Sequence, residues 1–201
     1  MISEEMELNQ QVLENIQISS QEYMLIKTFE VFYNNENNMN LFCHIINSES
    51  NISIRLIDYF VTKYAKYNKI YYNIIENNIE QTINIYTSYK QQLKIYQKKY
   101  FDPFSRGIRI PYFIKNNCII TTIGQLNFFK WFFSKNIFNY IKLNKDIIEN
   151  DMNKKKKIKY KKEKHIKNLH ILTKNLQNKF FISNNLNINN KIDNIIVSFK
   201  F

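Results

Sequence analysis

The chain predicts an α+β fold: a small mixed domain of helices packed on two short β-hairpins, followed by a flexible basic C-terminal tail. Three observations carry this. Two pairs of β-rich runs, "KIYYNII" with "QTINIYT" and "GIRIPYFI" with "NCIITT", are each parted by a few turn residues. The segments around them repeat apolar residues at helical spacing. Residues 151–170 then hold nine Lys, a composition that cannot bury enough apolar surface to order itself.

In order, residues 4–17 suit a helix with Leu8, Val12, Leu13 and Ile16 on one side. "EYMLIKTFEVFY" fits either helix or strand, and residues 34–40 read as a loop. In "SIRLIDYFVTKYAKY", Ile57, Phe60, Val61 and Tyr64 recur at i, i+3, i+4 and i+7, an amphipathic helix. The first hairpin follows. "SYKQQLKIYQKKY" then places Tyr89, Leu93, Tyr96 and Tyr100 on one helical face, beside a stripe of Lys90, Lys94 and Lys98. Asp102–Pro103 ends that helix, because the residue before proline is pushed out of the α region. In the second hairpin, Pro111 calls for an edge strand or a free N–H side. Thr122 with Gln125 three residues later is a capping-box signature, so a helix starts near Ile123. Phe128, Phe129, Trp131, Phe132 and Phe133 surround it, which marks a buried helix. The boundaries are an acidic helical segment at 1–50, an α+β core at 51–148, a Lys-rich flexible tail at 149–190 and a final strand at 191–201, from "IDNIIVSF".

Ile, Asn, Lys, Tyr and Phe dominate, all residues of A/T-rich codons, and Lys outnumbers Arg 26 to 3. Residues that resist such a bias are the informative ones. The chain has two Gly, two Pro and one Trp. One Gly, both Pro and two of the Arg fall within "YFDPFSRGIRIPYF", residues 100–113, with Gly124 and Trp131 close behind. Residues 102–131 are therefore the functional centre of gravity.

The net charge is +12, unevenly spread: eight acids and one Lys in residues 1–50, thirteen bases and three acids in residues 151–201. That asymmetry points to a polyanionic partner, although the acidic segment can equally shield the basic face. Cys43 and Cys118 form no C-x-x-C, so neither a disulfide framework nor a zinc site is indicated and a reduced intracellular protein is expected. "MISEEMELNQ" has no apolar signal region, and no apolar run approaches the ~20 residues of a spanning helix, so no membrane partner is expected.

Two glycines cannot build a phosphate-binding loop or a dinucleotide fingerprint, and no cofactor or metal is expected. His165 and His170 lie in a Lys run that repels cations, and Cys43–His44 are sequence neighbours whose side chains diverge. Asp58, Glu76, Glu80, Asp102, Asp146 and Glu149 leave a metal-dependent nuclease as a minor reading. Arg106 and Arg109, kept where the genome favours Lys, present planar forks suited to phosphate; the alternative is an internal clasp to Asp102. Lys90, Lys94, Lys98 and Lys99 on the helix, and Lys154, Lys155, Lys156 and Lys157 in the tail, complete the candidate nucleic-acid surface. Each also has a plain reading as a solvated face. The Thr121–Thr122–Gly124 helix start can hold an anion, but capping already accounts for it.

"SIRLIDYFVTKYAKYNKI", "YTSYKQQLKIYQKKYFDPFSRGIRI", "TTIGQLNFFKWFFSKNIFNYI", the Lys-rich tail and the terminal "IIVSF" together resemble an uncharacterised protein family of nucleocytoplasmic large DNA viruses of protists. The resemblance covers about residues 51–145 and the C-terminal end. It implies a viral protein in the host cytoplasm, the viral factory or the virion, and carries over no catalytic residue. The leading expectation is a non-enzymatic nucleic-acid-binding protein of replication, transcription or genome packaging. The second is a virion or assembly protein that binds another viral protein.

Overall fold

The computed structural model describes residues 4–15, 18–76, 79–114 and 117–186. Two compact units divide the chain, residues 1–152 and 153–201. The first holds the helices α1 (Glu4–Asn15), α2 (Ser20–Tyr33), α3 (Glu36–Ile46), α4 (Ile54–Tyr59), α5 (Ala65–Tyr67), α6 (Ile85–Tyr100), α7 (Ile123–Ser134) and α8 (Ile137–Leu143). It also holds two separate antiparallel hairpins, β1 (Tyr71–Glu76) with β2 (Ile79–Asn84) and β3 (Ile110–Ile114) with β4 (Asn117–Thr121). The last helix, α9 (Lys145–Leu186), begins in the first unit and supplies the described part of the second.

Short polar side chains set most helix starts by taking up N–H groups that have no intrahelical partner. Ser19 makes a full capping box with Glu22. Asn35 accepts from the N–H groups of Asn37 and Asn38, so α3 begins at Glu36 and the loop expected over 34–40 shrinks to Asn34 and Asn35. Ser53 caps α4. Asn84 accepts from Thr87 N, so "IYT", read from sequence as the end of a strand, becomes the first turn of α6. Thr122 starts α7 as expected, but Gln125 completes only half of the box. Its side chain instead accepts from Thr121 Oγ1 and donates to the Pro103 carbonyl.

α7 is the buried axis of the first unit. Leu126, Phe128, Phe129 and Phe132 are fully buried and Trp131 nearly so, among α2, α6 and α8. The ambiguous segment is the helix α2, and its Leu25, Ile26, Phe29 and Tyr33 join this core, with the Tyr33 hydroxyl donating to Leu126 O. A single π-helical turn, Phe60–Tyr64, joins α4 to α5 while Phe60 and Val61 stay buried. Both hairpins are antiparallel, with Tyr72 opposite Ile83 and Tyr112 opposite Ile119.

Pro111 does lie on an open strand edge, and that edge is covered. The Asn9 carboxamide donates to Phe113 O at 2.7 Å and accepts from Phe113 N at 2.8 Å, copying a strand partner from a helix. This polar residue is 3% exposed. Leu8, expected on the packed face of α1, is 37% exposed, because α1 seats itself through Asn9.

The Lys-rich segment expected to be a flexible tail is solvated but helical: α9 runs unbroken to Leu186. Lys, Leu, Ile and Gln are good to moderate helix formers and no Pro or Gly interrupts them, which outweighs the like-charge repulsion. Among the α9 residues whose exposure is described, those of the first turns are the packed ones, with Ile148 fully buried and Tyr59 Oη donating to Asp151. The strand expected at 191–201 lies outside the described residues.

Candidate functional site

The uncommon residues of 100–113 are fastened to the start of α7. Asp102 N donates to Gly124 O at 3.1 Å, the Gln125 side chain to Pro103 O at 2.8 Å, and the Asn127 side chain to Tyr100 O at 2.8 Å. Phe101 is buried against Tyr89, Phe128 and Trp131. A Cβ on Gly124 would lie 2.9 Å from the Lys99 carbonyl oxygen, so only glycine allows α6 and α7 to meet this closely. Gly107, by contrast, has no positive φ and ordinary space for a Cβ.

Arg106 grips Asp102 through both arms of its fork, Nε to Oδ2 at 2.7 Å and Nη2 to Oδ1 at 2.6 Å, and its guanidinium lies 5.0 Å from the Phe104 ring centre. The internal clasp is therefore real for Arg106. Arg109 is exposed and has no partner among the described residues. Ile108 is 71% exposed while Ile110 is buried, because the strand begins only at Ile110.

A cleft of about 600 Å³ opens here. Ile18, Ile108, Ile110 and Ile123 give it apolar lining, and Thr122 and Gly124 bring the first turn of α7 to it. Its charged groups are Arg106, Lys99 and Glu22. Lys99 Nζ donates to Tyr100 Oη at 2.6 Å and sits 3.6 Å from Glu22. Burial pushes the Glu22 carboxyl up, but hydrogen bonds from Ser19 and Tyr100 and the Lys99 charge outweigh it and hold it below the usual range. Each cation in the cleft thus has a carboxylate beside it, and the site offers directed donors on a nearly neutral background.

Behind Arg106 lies a residue that sequence spacing did not single out. Asp58, half-buried on α4 just before the π turn, is pushed up by burial; the Arg106 charge pulls it down by more than the Asp102 charge raises it, and burial prevails. Burial together with Asp58 and Asp102 pushes the Tyr89 hydroxyl up to about 12. Of the six acids of the central region, then, the fold brings Asp58 and Asp102 near each other. The lysines of α6 do not form one stripe. Lys90 and Lys94 are exposed on α6, but Gln97 takes φ 55°, breaking the helix and the stripe before Lys98 and Lys99. Lys99 lines the cleft, and Lys98 lies close enough for its charge to reach Asp58. Lys154, Lys156 and Lys157 are exposed and Lys155 half-exposed, all in the second unit.

A family of unknown function, DUF7197, matches residues 2–200. The chain belongs to that family. The DUF7197 chain is also 45% identical over 126 residues to the uncharacterised protein L507 of Acanthamoeba polyphaga mimivirus, covering 60% of this chain and 48% of the relative. It thus spans about half the length of that relative, and the resemblance to an uncharacterised family of large DNA viruses holds. No solved structure matches it. Among the described residues of this DUF7197 member, no helix is long and apolar enough to cross a membrane, and no three His, Cys, Asp or Glu gather as metal ligands.

Proposed function

We propose that the protein is a non-enzymatic nucleic-acid-binding protein of a large DNA virus, acting in replication, transcription or genome packaging in the infected host's cytoplasm. One observation carries this reading: from Lys154 to Lys174, α9 presents ten Lys and a single acid, Glu163, on a stretch of helix that is exposed at every position but the half-exposed Lys155. Such a surface meets a phosphate backbone by counterion release and reads no sequence. Arg109, exposed and uncommitted among the described residues, adds a separate phosphate-binding group in the first unit.

The test is Lys154, Lys155, Lys156 and Lys157 replaced by Gln, with binding to DNA and RNA measured across salt concentrations. The log–log slope should fall by about 0.7 to 0.9 for each phosphate that the variant no longer neutralises, equally for unrelated sequences. An unchanged slope overturns the reading. A second reading, binding to another viral protein in the virion or during assembly, is favoured by Leu169, Leu172 and Leu176, which expose an apolar strip on α9. A stable stoichiometric complex, with weak nucleic-acid binding at physiological salt, would select it. The nuclease reading gains no such observation, since Asp102 is committed to Arg106.

A further inference from the structure

We propose that the cleft between α6, the 102–110 segment and α7 is a nucleotide site, taking a phosphate group together with the sugar and base attached to it. The choice of ligand rests on the nucleic-acid reading; the site itself is lined by residues 18–124 of the first unit. Its volume, about 600 Å³, is within the range of pockets that enclose a small ligand.

The phosphate partner is Arg106. Asp102 takes two of its five N–H donors and the guanidinium carbon sits over the Phe104 ring, so the guanidinium is fixed before any ligand arrives. The other donors have no partner among the described residues, and the side chain is 67% exposed. A guanidinium fixed in this way loses little freedom on binding, which favours bidentate contact with phosphate over the looser attraction of a lysine. Lys99, held by Tyr100 and Glu22, supplies a second cation within the same cleft.

The body of the ligand is indicated by the remaining lining. Ile108 is 71% exposed and, with Ile18 and Ile123, offers apolar surface to the face of a base or sugar. Such an apolar wall beside a fixed guanidinium suits an anion that carries a flat organic group, and gives inorganic phosphate alone little to hold. Because Glu22 and Asp102 cancel most of the positive charge, recognition here depends on donor geometry. Binding in the cleft should therefore change little with salt, whereas binding through α9 should change steeply.

The only two glycines of the chain, Gly107 and Gly124, both line the cleft. Glycine-selective ¹⁵N labelling of the full chain therefore gives a two-peak spectrum that reports on this site alone. Adenosine monophosphate should shift both peaks in a saturable way, at both low and high salt. Arg106→Lys should weaken that binding at least tenfold. Ile108→Asp, which adds a repelling carboxylate at an exposed and fold-neutral position, should abolish it. Lys154–157→Gln should leave it unchanged, so failure of α9 to bind nucleic acid and failure of the cleft to bind nucleotide are read separately. A 5′-phosphorylated single strand that titrates tighter than the mononucleotide identifies the end of a strand as the source; equal titration identifies a free nucleotide. The proposal is overturned if neither peak moves, if Ile108→Asp binds as wild type does, or if inorganic phosphate reproduces the shifts at the same concentration.

Discussion

Gly124 stands where the carbonyl end of α6 meets the start of α7, and the Lys99 oxygen leaves no room there for a methyl group. Gly124→Ala should cost about 1 to 3 kcal/mol in chemical denaturation, as overpacking against backbone does. Gly107→Ala should be neutral or gain up to about 1 kcal/mol, since its backbone suits any residue. Compositional scarcity marked both glycines but could not tell them apart, because a close approach between helices 25 residues apart leaves no trace in local sequence. The arginines repeat that lesson. Arg106→Lys should lower thermal stability by breaking a bidentate clasp, whereas Arg109→Lys should leave melting unchanged. Asp58 was visible only as one of six acids, and its perturbation comes from burial, which depends on segments distant in sequence packing over it. A carboxyl raised in the folded state stabilises while protonated and loses that contribution as pH rises through its folded value. Asp58→Asn should therefore raise the melting temperature at neutral pH, and the gain should shrink to nothing as the pH falls below the carboxylate range.

Among the elements, α7 was the most legible, since five aromatics distributed around a helix admit no exposed face. Trp131→Ala or Phe129→Ala should cost about 3 to 5 kcal/mol by equilibrium unfolding. The hairpins were legible from alternation and turn spacing, and Pro111 named the open edge. What covers that edge was not legible. The apolar pattern of α1 pointed to Leu8, and the decisive side chain is an asparagine in a sequence full of them. Asn9→Ala leaves a backbone N–H and carbonyl unpaired, at about 1 to 3 kcal/mol. Hydrogen exchange at the Phe113 amide should accelerate, and an unchanged rate would show that α1 covers the strand without the side-chain bonds. In α9, composition suggested disorder, yet without helix breakers the segment is helical, and the A/T bias that supplied its Lys also supplied good helix formers.

At the scale of the whole molecule, the two units differ in what sustains them. Residues 1–152 enclose an aromatic core, while the described part of the second unit is a helix with no buried residue among those whose exposure is described. Helices without an apolar face packed away depend on propensity alone and melt gradually. The chain's single indole sits inside the first unit, 5% exposed, with its Nε1–H donating to Ser88 Oγ at 3.0 Å. It is thus a built-in optical gauge of one of the two units. Its emission should stay blue-shifted until the core opens in one sharp step, while far-ultraviolet ellipticity, which also counts α9, declines well before. Two heating curves from one untagged sample, one in fluorescence and one in circular dichroism, would separate the two units without cutting the chain.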